Sequence, residues 1–222
     1  MTEQKEPFSI DRFIAILKDH YRTWNAPVIT LMANSGASPY QVLISTILSL
    51  RTRDEVTAAA SKRLFARASE PCAMIALGAD AIAREIYPVG FYPTKSKRIV
   101  DISRIIIDRY KGVVPDEIDE LLTLPGVGRK TANLVLVEGY RKNAICVDTH
   151  VHRISNRIGY VKTSSPDKTE MALRKILPVK YWIEYNEMMV AFGQVICRPQ
   201  SPFCSACPVS ELCPKIDVKK SR

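Results

Sequence analysis

Apolar residues recur along this chain at the spacing of a helix in segment after segment, and strict alternation is not seen in any segment. A half-buried strand needs alternation because successive side chains point to opposite faces. A helix instead returns to the same face about every 3.6 residues. The pattern predicts an all-α protein. Ser38 and Pro39 read as an N-cap followed by proline in the first turn, after which Tyr40, Leu43, Ile44, Ile47 and Leu48 share one face. Thr52 and Glu55 match a capping box opening the next helix, with Val56, Ala59, Ala60 and Leu64 turned inward. Further helices are expected over 80–87, 96–110, 116–122, 129–140, 166–177 and 181–196.

The length of 222 residues allows one large domain or two small ones. No apolar run approaches the roughly 18–20 residues needed to span a bilayer. Residues 1–7 are polar and carry acids, unlike a secretory or transit segment. The expectation is a soluble, intracellular protein that is not secreted. Lys and Arg number 32 against 23 Asp and Glu, a net charge of +9. Such an excess permits a polyanionic partner, because basic side chains displace the counterions of phosphates. A basic protein without such a partner fits the charge equally well.

Residues 121–139 hold Leu124, Pro125, Gly126, Val127, Gly128, Arg129 and Lys130 in sequence. The reading is a helix ending at Pro125, a tight glycine turn, and a second helix from about Arg129. Bare amides at that new N-terminus, unshielded at the glycines, would suit a phosphate. A plain helical hairpin needs glycine too, but the following Lys130 and the basic composition favour the phosphate site. Lys130 itself is a solvated surface residue, another phosphate contact or, as a free amine, a nucleophile. Asp148 follows in Cys146-Val-Asp-Thr-His150-Val-His152-Arg153. It reads as an N-cap, as a carboxylate able to stabilise positive charge, or, with His150 and His152, as a metal-binding triad that would require a strand.

The cysteines are distributed unevenly. Cys72 and Cys146 stand alone in apolar surroundings, and each reads as a small buried hydrophobe. Cys197, Cys204, Cys207 and Cys213 crowd one C-terminal stretch with the spacing Cys-x6-Cys-x2-Cys-x5-Cys. Four thiolates without histidine suit a tetrahedral zinc or a 4Fe–4S cluster, and unequal spacings with a single Cys-x2-Cys fit the cluster better.

Taken together, the Leu124–Lys130 segment, the Val147-Asp-Thr-His150 segment and the cysteine spacing resemble the endonuclease III family of helix-hairpin-helix DNA glycosylases, over nearly the whole chain. The resemblance implies two helical domains with a DNA cleft between them. One is a six-helix barrel with the hairpin, at about residues 25–136. The other is built from residues 1–24 and 137–222 and ends in a 4Fe–4S loop at 197–213. It implies a bifunctional glycosylase that removes damaged pyrimidines and cleaves the abasic site by β-elimination. Lys130 would be the Schiff-base nucleophile and Asp148 the catalytic carboxylate. Leu124, Gly126, Val127, Gly128 and Arg129 would meet DNA, and the four cysteines would hold the cluster. The implied partner is double-stranded DNA with damaged pyrimidines or abasic sites. The protein would be a monomer in the cytoplasm, associated with the nucleoid and not with membrane.

Two positions depart from the family pattern. Arg51 stands where glutamine is common in the gap left by a flipped base. Phe91 matches an aliphatic wedge position, and an aromatic there can intercalate or simply pack its loop. A non-catalytic DNA-binding module remains the alternative from another class, and the Lys130–Asp148 pair argues against it.

Overall fold

The computed structural model describes residues 8–24 and 26–222, and every regular element among them is helical. The polar segment 1–7 lies outside the described residues. Contacts divide the chain into two compact units, one from Pro27–Cys146 and one from the described part of Met1–Ala26 with Val147–Arg222. In chain order the α-helices are α1 (Ile10–Tyr21), α2 (Val28–Asn34), α3 (Pro39–Ser49), α4 (Asp54–Arg67), α5 (Pro71–Leu77) and α6 (Ala79–Ile86). They continue with α7 (Tyr92–Tyr110), α8 (Ile118–Leu121), α9 (Arg129–Leu134), α10 (Thr149–Arg157), α11 (Pro166–Ile176) and α12 (Trp182–Val195). Sequence periodicity missed α1, α2 and α5; the latter two have only seven residues each, too short for a period to declare itself.

The central helix of Pro27–Cys146 is α3. Ser38 caps it reciprocally with Gln41: the Gln41 amide donates to Ser38 Oγ at 3.3 Å, and the Ser38 amide to Gln41 Oε1 at 2.9 Å. From Tyr40 to Leu48 only Gln41 escapes full burial, so α3 is enclosed on all sides rather than along one stripe. Its hydroxyls are satisfied internally, Thr46 on the Val42 carbonyl at 2.7 Å and Tyr40 with Ser103 of α7 at 2.6 Å, as buried polar groups require.

Helix α4 departs from expectation. Thr52 forms no capping box; Arg53 is the N-cap and makes no side-chain cap bond. The buried face is Thr57, Ala60, Ser61 and Leu64, while Val56 is half-buried and Ala59 exposed. Small hydroxyl residues can lie inward here because Thr57 bonds the Arg53 carbonyl at 3.1 Å and Ser61 reaches Ser45 of α3 at 3.2 Å. The single helix expected over 129–140 is α9 followed by a π-helical turn, Val135–Gly139. That turn carries Glu138 inward, where Thr30 of α2 donates to it at 2.7 Å and burial raises its carboxyl pKa.

The same turn explains where the division falls. Residues 137–146, expected with the C-terminal domain, belong with Pro27–Cys146. The π turn packs on α2 and α3. Gly139 lies so close to Pro39 that a Cβ would sit 3.3 Å from it. Lys142 then pairs with Asp116 at 2.7 Å and Glu117 at 2.8 Å.

In the other unit, α1 and α10 pack on α12. The rings of Phe13 and Phe192 meet edge to face at 6.4 Å. Tyr185 is fully buried and bonds Ser155 at 3.1 Å. Beyond α12 the chain is irregular and carries the four clustered cysteines. No helix among the described residues is long and apolar enough to cross a membrane.

Candidate active site

The glycine hairpin joins α8 to α9. Leu121 and Leu124 anchor its first arm in the core, and Val127 plugs the turn, its amide donating to the Leu124 carbonyl at 3.1 Å. Leu124 is 2% and Val127 6% exposed, so neither side chain is presented outward. Gly126 has φ +79°, a left-handed turn that favours glycine, and the Arg98 side chain of α7 lies across it. Gly128 differs. It is extended, caps α9 without any side-chain bond, and has open space where a Cβ would be. Thus the first glycine shapes the turn and the second leaves the helix start uncovered.

Lys130 lies in the first turn of α9, half-buried. Its carbonyl accepts from the buried Cys146 thiol at 3.5 Å, tying the helix start to the segment that closes this unit. Cys146 is buried as expected, whereas Cys72, the other isolated cysteine, is exposed.

Asp148 belongs to the other unit, two residues past the division. It is the N-cap of α10: Oδ1 accepts from the amides of His150 at 2.8 Å and Val151 at 2.9 Å. Among the described residues Oδ2 takes no hydrogen bond, so one oxygen is fixed by the helix start and the other is uncommitted. The metal-triad reading is not supported. A helix, not a strand, follows Asp148. His150 Nδ1 faces Arg153 at 3.1 Å, whereas His152 Nδ1 faces Thr169 at 2.7 Å. Among the described residues no group of three His, Cys, Asp or Glu could hold one metal ion.

Cys197, Cys204, Cys207 and Cys213 are free thiols lining one cavity, with Phe192, Ile196, Phe203 and Val209 among its other walls. Burial pushes the Cys207 thiol up to about 11 and raises that of Cys213 as well. Two arginines of α10, one turn apart, hold this loop. Arg153 donates to the Cys197 carbonyl at 2.9 Å. Arg157 donates to the carbonyls of Arg198 at 2.6 Å and Pro199 at 2.7 Å, and its guanidinium stands 3.5 Å from Cys197 Sγ. The Lys215 amide donates to Cys213 Sγ at 3.3 Å. Sequence reading missed both arginines, since an Arg drawn partly or wholly inside leaves no mark that separates it from a solvated one. Gly193 admits α10: a Cβ there would collide with the His150 ring.

Arg51 and Phe91, from two separate loops, are both exposed, and the Arg51 guanidinium lies 5.7 Å from the Phe91 ring centre. Within Pro27–Cys146 the structure therefore brings Arg51 to Phe91, and within the other unit it gathers the four cysteines around one cavity.

Residues 44–179 match the HhH-GPD superfamily of base excision DNA repair proteins. The chain is 52% identical over 175 residues to endonuclease III of Thermotoga maritima, covering 79% of this chain and 82% of that protein. The chain belongs to the endonuclease III family. Its fold matches a non-covalent endonuclease III–DNA complex with a TM-score of 0.81 at 33% identity, covering 93% of this chain and 96% of that one. It likewise matches a trapped endonuclease III–DNA covalent intermediate, with a TM-score of 0.78 at 32% identity and the same coverage.

Proposed function

We propose that this chain is a base-excision repair DNA glycosylase with AP lyase activity, which removes damaged, oxidised pyrimidines and then cleaves the abasic site through a lysine Schiff base. The carrying observation is Lys130, half-buried in the first turn of the helix that follows the open Gly128 cap. Double-stranded DNA is the partner. The chain acts on it as a monomer, on the chromosome in the cytoplasm. The hairpin amides contact phosphate without reading sequence, which suits an enzyme whose lesions occur in any context.

The damaged base must leave the stack, because C1′ is shielded within it. The Lys130 amine forms a bond to C1′ as the glycosidic bond breaks, and the electron pair of that bond departs with the base. Asp148 stabilises the positive charge that builds on the sugar and takes up the proton the amine releases. Its geometry suits this: Oδ1 is pinned by two amides and Oδ2 is uncommitted. The C1′–O4′ bond then breaks as the nitrogen lone pair forms the C1′=N bond, and O4′ takes the proton held by Asp148; the resulting ring-opened iminium acidifies C2′. Loss of a 2′ proton forms the C1′–C2′ enamine, and the C3′–O bond breaks with departure of the phosphate.

The cysteine pocket is read as the seat of a 4Fe–4S cluster held by Cys197, Cys204, Cys207 and Cys213. The donor set fits: four free thiols wall one cavity, no carboxylate or imidazole competes among the lining residues, and the Arg157 guanidinium and the Lys215 amide stand ready beside two of the sulfurs. When bound, the cluster cross-links the C-terminal coil through four thiolates.

Borohydride trapping tests the central assignment. The protein should form a covalent adduct with duplex DNA carrying a damaged pyrimidine or an abasic site, mapped by peptide analysis to Lys130. Lys130→Gln should lose trapping and base release while still binding DNA. Normal trapping by Lys130→Gln would overturn the assignment.

A further inference from the structure

Four non-glycine residues of Pro27–Cys146 occupy the left-handed backbone region, Arg51, Phe91, Lys111 and Arg141, and the side chains of the first two meet. Arg51 has φ 54° in the turn after α3, and Phe91 has φ 59° as the N-cap of α7. Phe91 is 61% exposed, with the Arg51 guanidinium over its ring. Residues forced into this region persist only where their surroundings impose it, and they concentrate at functional sites. An exposed aromatic beside an exposed guanidinium does not stabilise the fold enough to explain two such residues side by side.

The surroundings that impose it centre on Lys95. This lysine of α7 is 4% exposed and has no carboxylate partner among the described residues. Its Nζ donates to the carbonyls of Leu48 at 2.8 Å and Leu50 at 2.6 Å, and to Thr52 Oγ1 at 3.3 Å. Those carbonyls lie at the end of α3, where no glycine cap follows, so the ammonium closes the helix terminus. Thr52 Oγ1 in turn accepts from the Gly90 amide at 3.1 Å. Gly90 presses against the Arg51 carbonyl so closely that a Cβ would lie 2.6 Å from it. One buried cation therefore ties the turn bearing Arg51 to the loop bearing Phe91. Burial lowers its pKa to about 8, the mark of a charge kept inside at a cost.

We propose that Lys95 is a positioning residue that sets Arg51 and Phe91 as one paired insertion into duplex DNA at the lesion, the planar guanidinium filling the gap opposite the unpaired base and the ring stacking on its neighbour. This rests on the proposed glycosylase reading and on these two side chains entering the duplex. The competing explanation is that Lys95 only caps α3, in which case its loss would act independently of Arg51 and Phe91.

A mutant cycle separates the two. Single-turnover excision of thymine glycol from a duplex is measured for wild type, Lys95→Met, the double variant Arg51→Ala/Phe91→Ala, and the triple variant. In parallel, 2-aminopurine opposite a tetrahydrofuran abasic analogue reports unstacking by its fluorescence rise on binding. Lys95→Met is expected to slow excision at least ten-fold and abolish the fluorescence rise, yet to change the double variant less than two-fold. The same factor in both backgrounds, or a Lys95→Met rate within two-fold of wild type, would overturn the proposal. Wild-type excision by Arg51→Ala/Phe91→Ala would instead sink the underlying reading that these side chains enter DNA. Should Lys95→Met fail to fold, Thr52→Val removes the shared hydroxyl while leaving the lysine. It should show the same non-additive pattern, and additive behaviour would refute it equally.

Discussion

Asp148 has two jobs that substitution can pull apart. Its Oδ1 caps α10 through the amides of His150 and Val151, and its charge is proposed to stabilise the cationic sugar. Asp148→Ala removes both. Loss of such a cap costs about 1–2 kcal/mol, which at about 2–4 °C per kcal/mol for a chain of this size lowers the melting temperature by roughly 2–8 °C. Asp148→Asn keeps an oxygen at the same place and loses only the favourable charge at the helix start, about 0.3–1 kcal/mol. Both variants should nonetheless slow base release by about 10²–10³-fold, the size of one electrostatic stabiliser worth about 3–4 kcal/mol. Thermal melts and single-turnover excision read the two effects separately. Cleavage of a preformed abasic site, which bypasses base expulsion, should suffer less than excision. Excision by Asp148→Asn within a few-fold of wild type would reduce Asp148 to a cap. Equal losses on both substrates would place its role elsewhere than base expulsion.

The purified protein should be yellow-brown, with iron and acid-labile sulfide near four each per chain; a colourless protein with one zinc, even when prepared anaerobically, would refute the cluster. Binding to undamaged duplex should weaken steeply with salt, each phosphate neutralised adding about −0.9 to the slope of log K against log salt; a flat response would refute the hairpin as a phosphate site. Lys95 titrates at about 8 in the fold against 10.5 when exposed, so the unfolded chain holds the extra proton between those values and wild-type stability should rise with pH across that window. Denaturant melts should show wild type gaining roughly 2 kcal/mol over Lys95→Met between pH 7 and 10, and parallel curves would contradict a buried ammonium.

Much of the site was legible because its chemistry is carried by short contiguous runs. Residues 124–130 fix a turn and a helix start within seven residues, and local backbone geometry makes Gly126 necessary there whatever surrounds it. The cysteine spacing is equally local: four thiols within one short coil end up around one cavity. The Ser38 cap and the helical course of α3 were readable for the same reason, since capping and helical period are properties of neighbours in sequence, although α3 proved buried all round and not along one stripe. Tertiary structure decided the rest. Thr52 was expected to cap α4, but a hydroxyl goes to its best donor, and the fold offers it the Gly90 amide and the Lys95 ammonium instead. Glu138 is drawn inward on a π turn toward Thr30, 108 residues away, which keeps residues 137–146 with the helices before them. No sequence pattern marks Lys95 or Arg157 as buried or Arg153 as half-buried, because a long basic side chain reads as solvated until distant carbonyls are found to surround it. The sequence determined what chemistry this chain carries; packing decided which charges went inside to hold that chemistry in place.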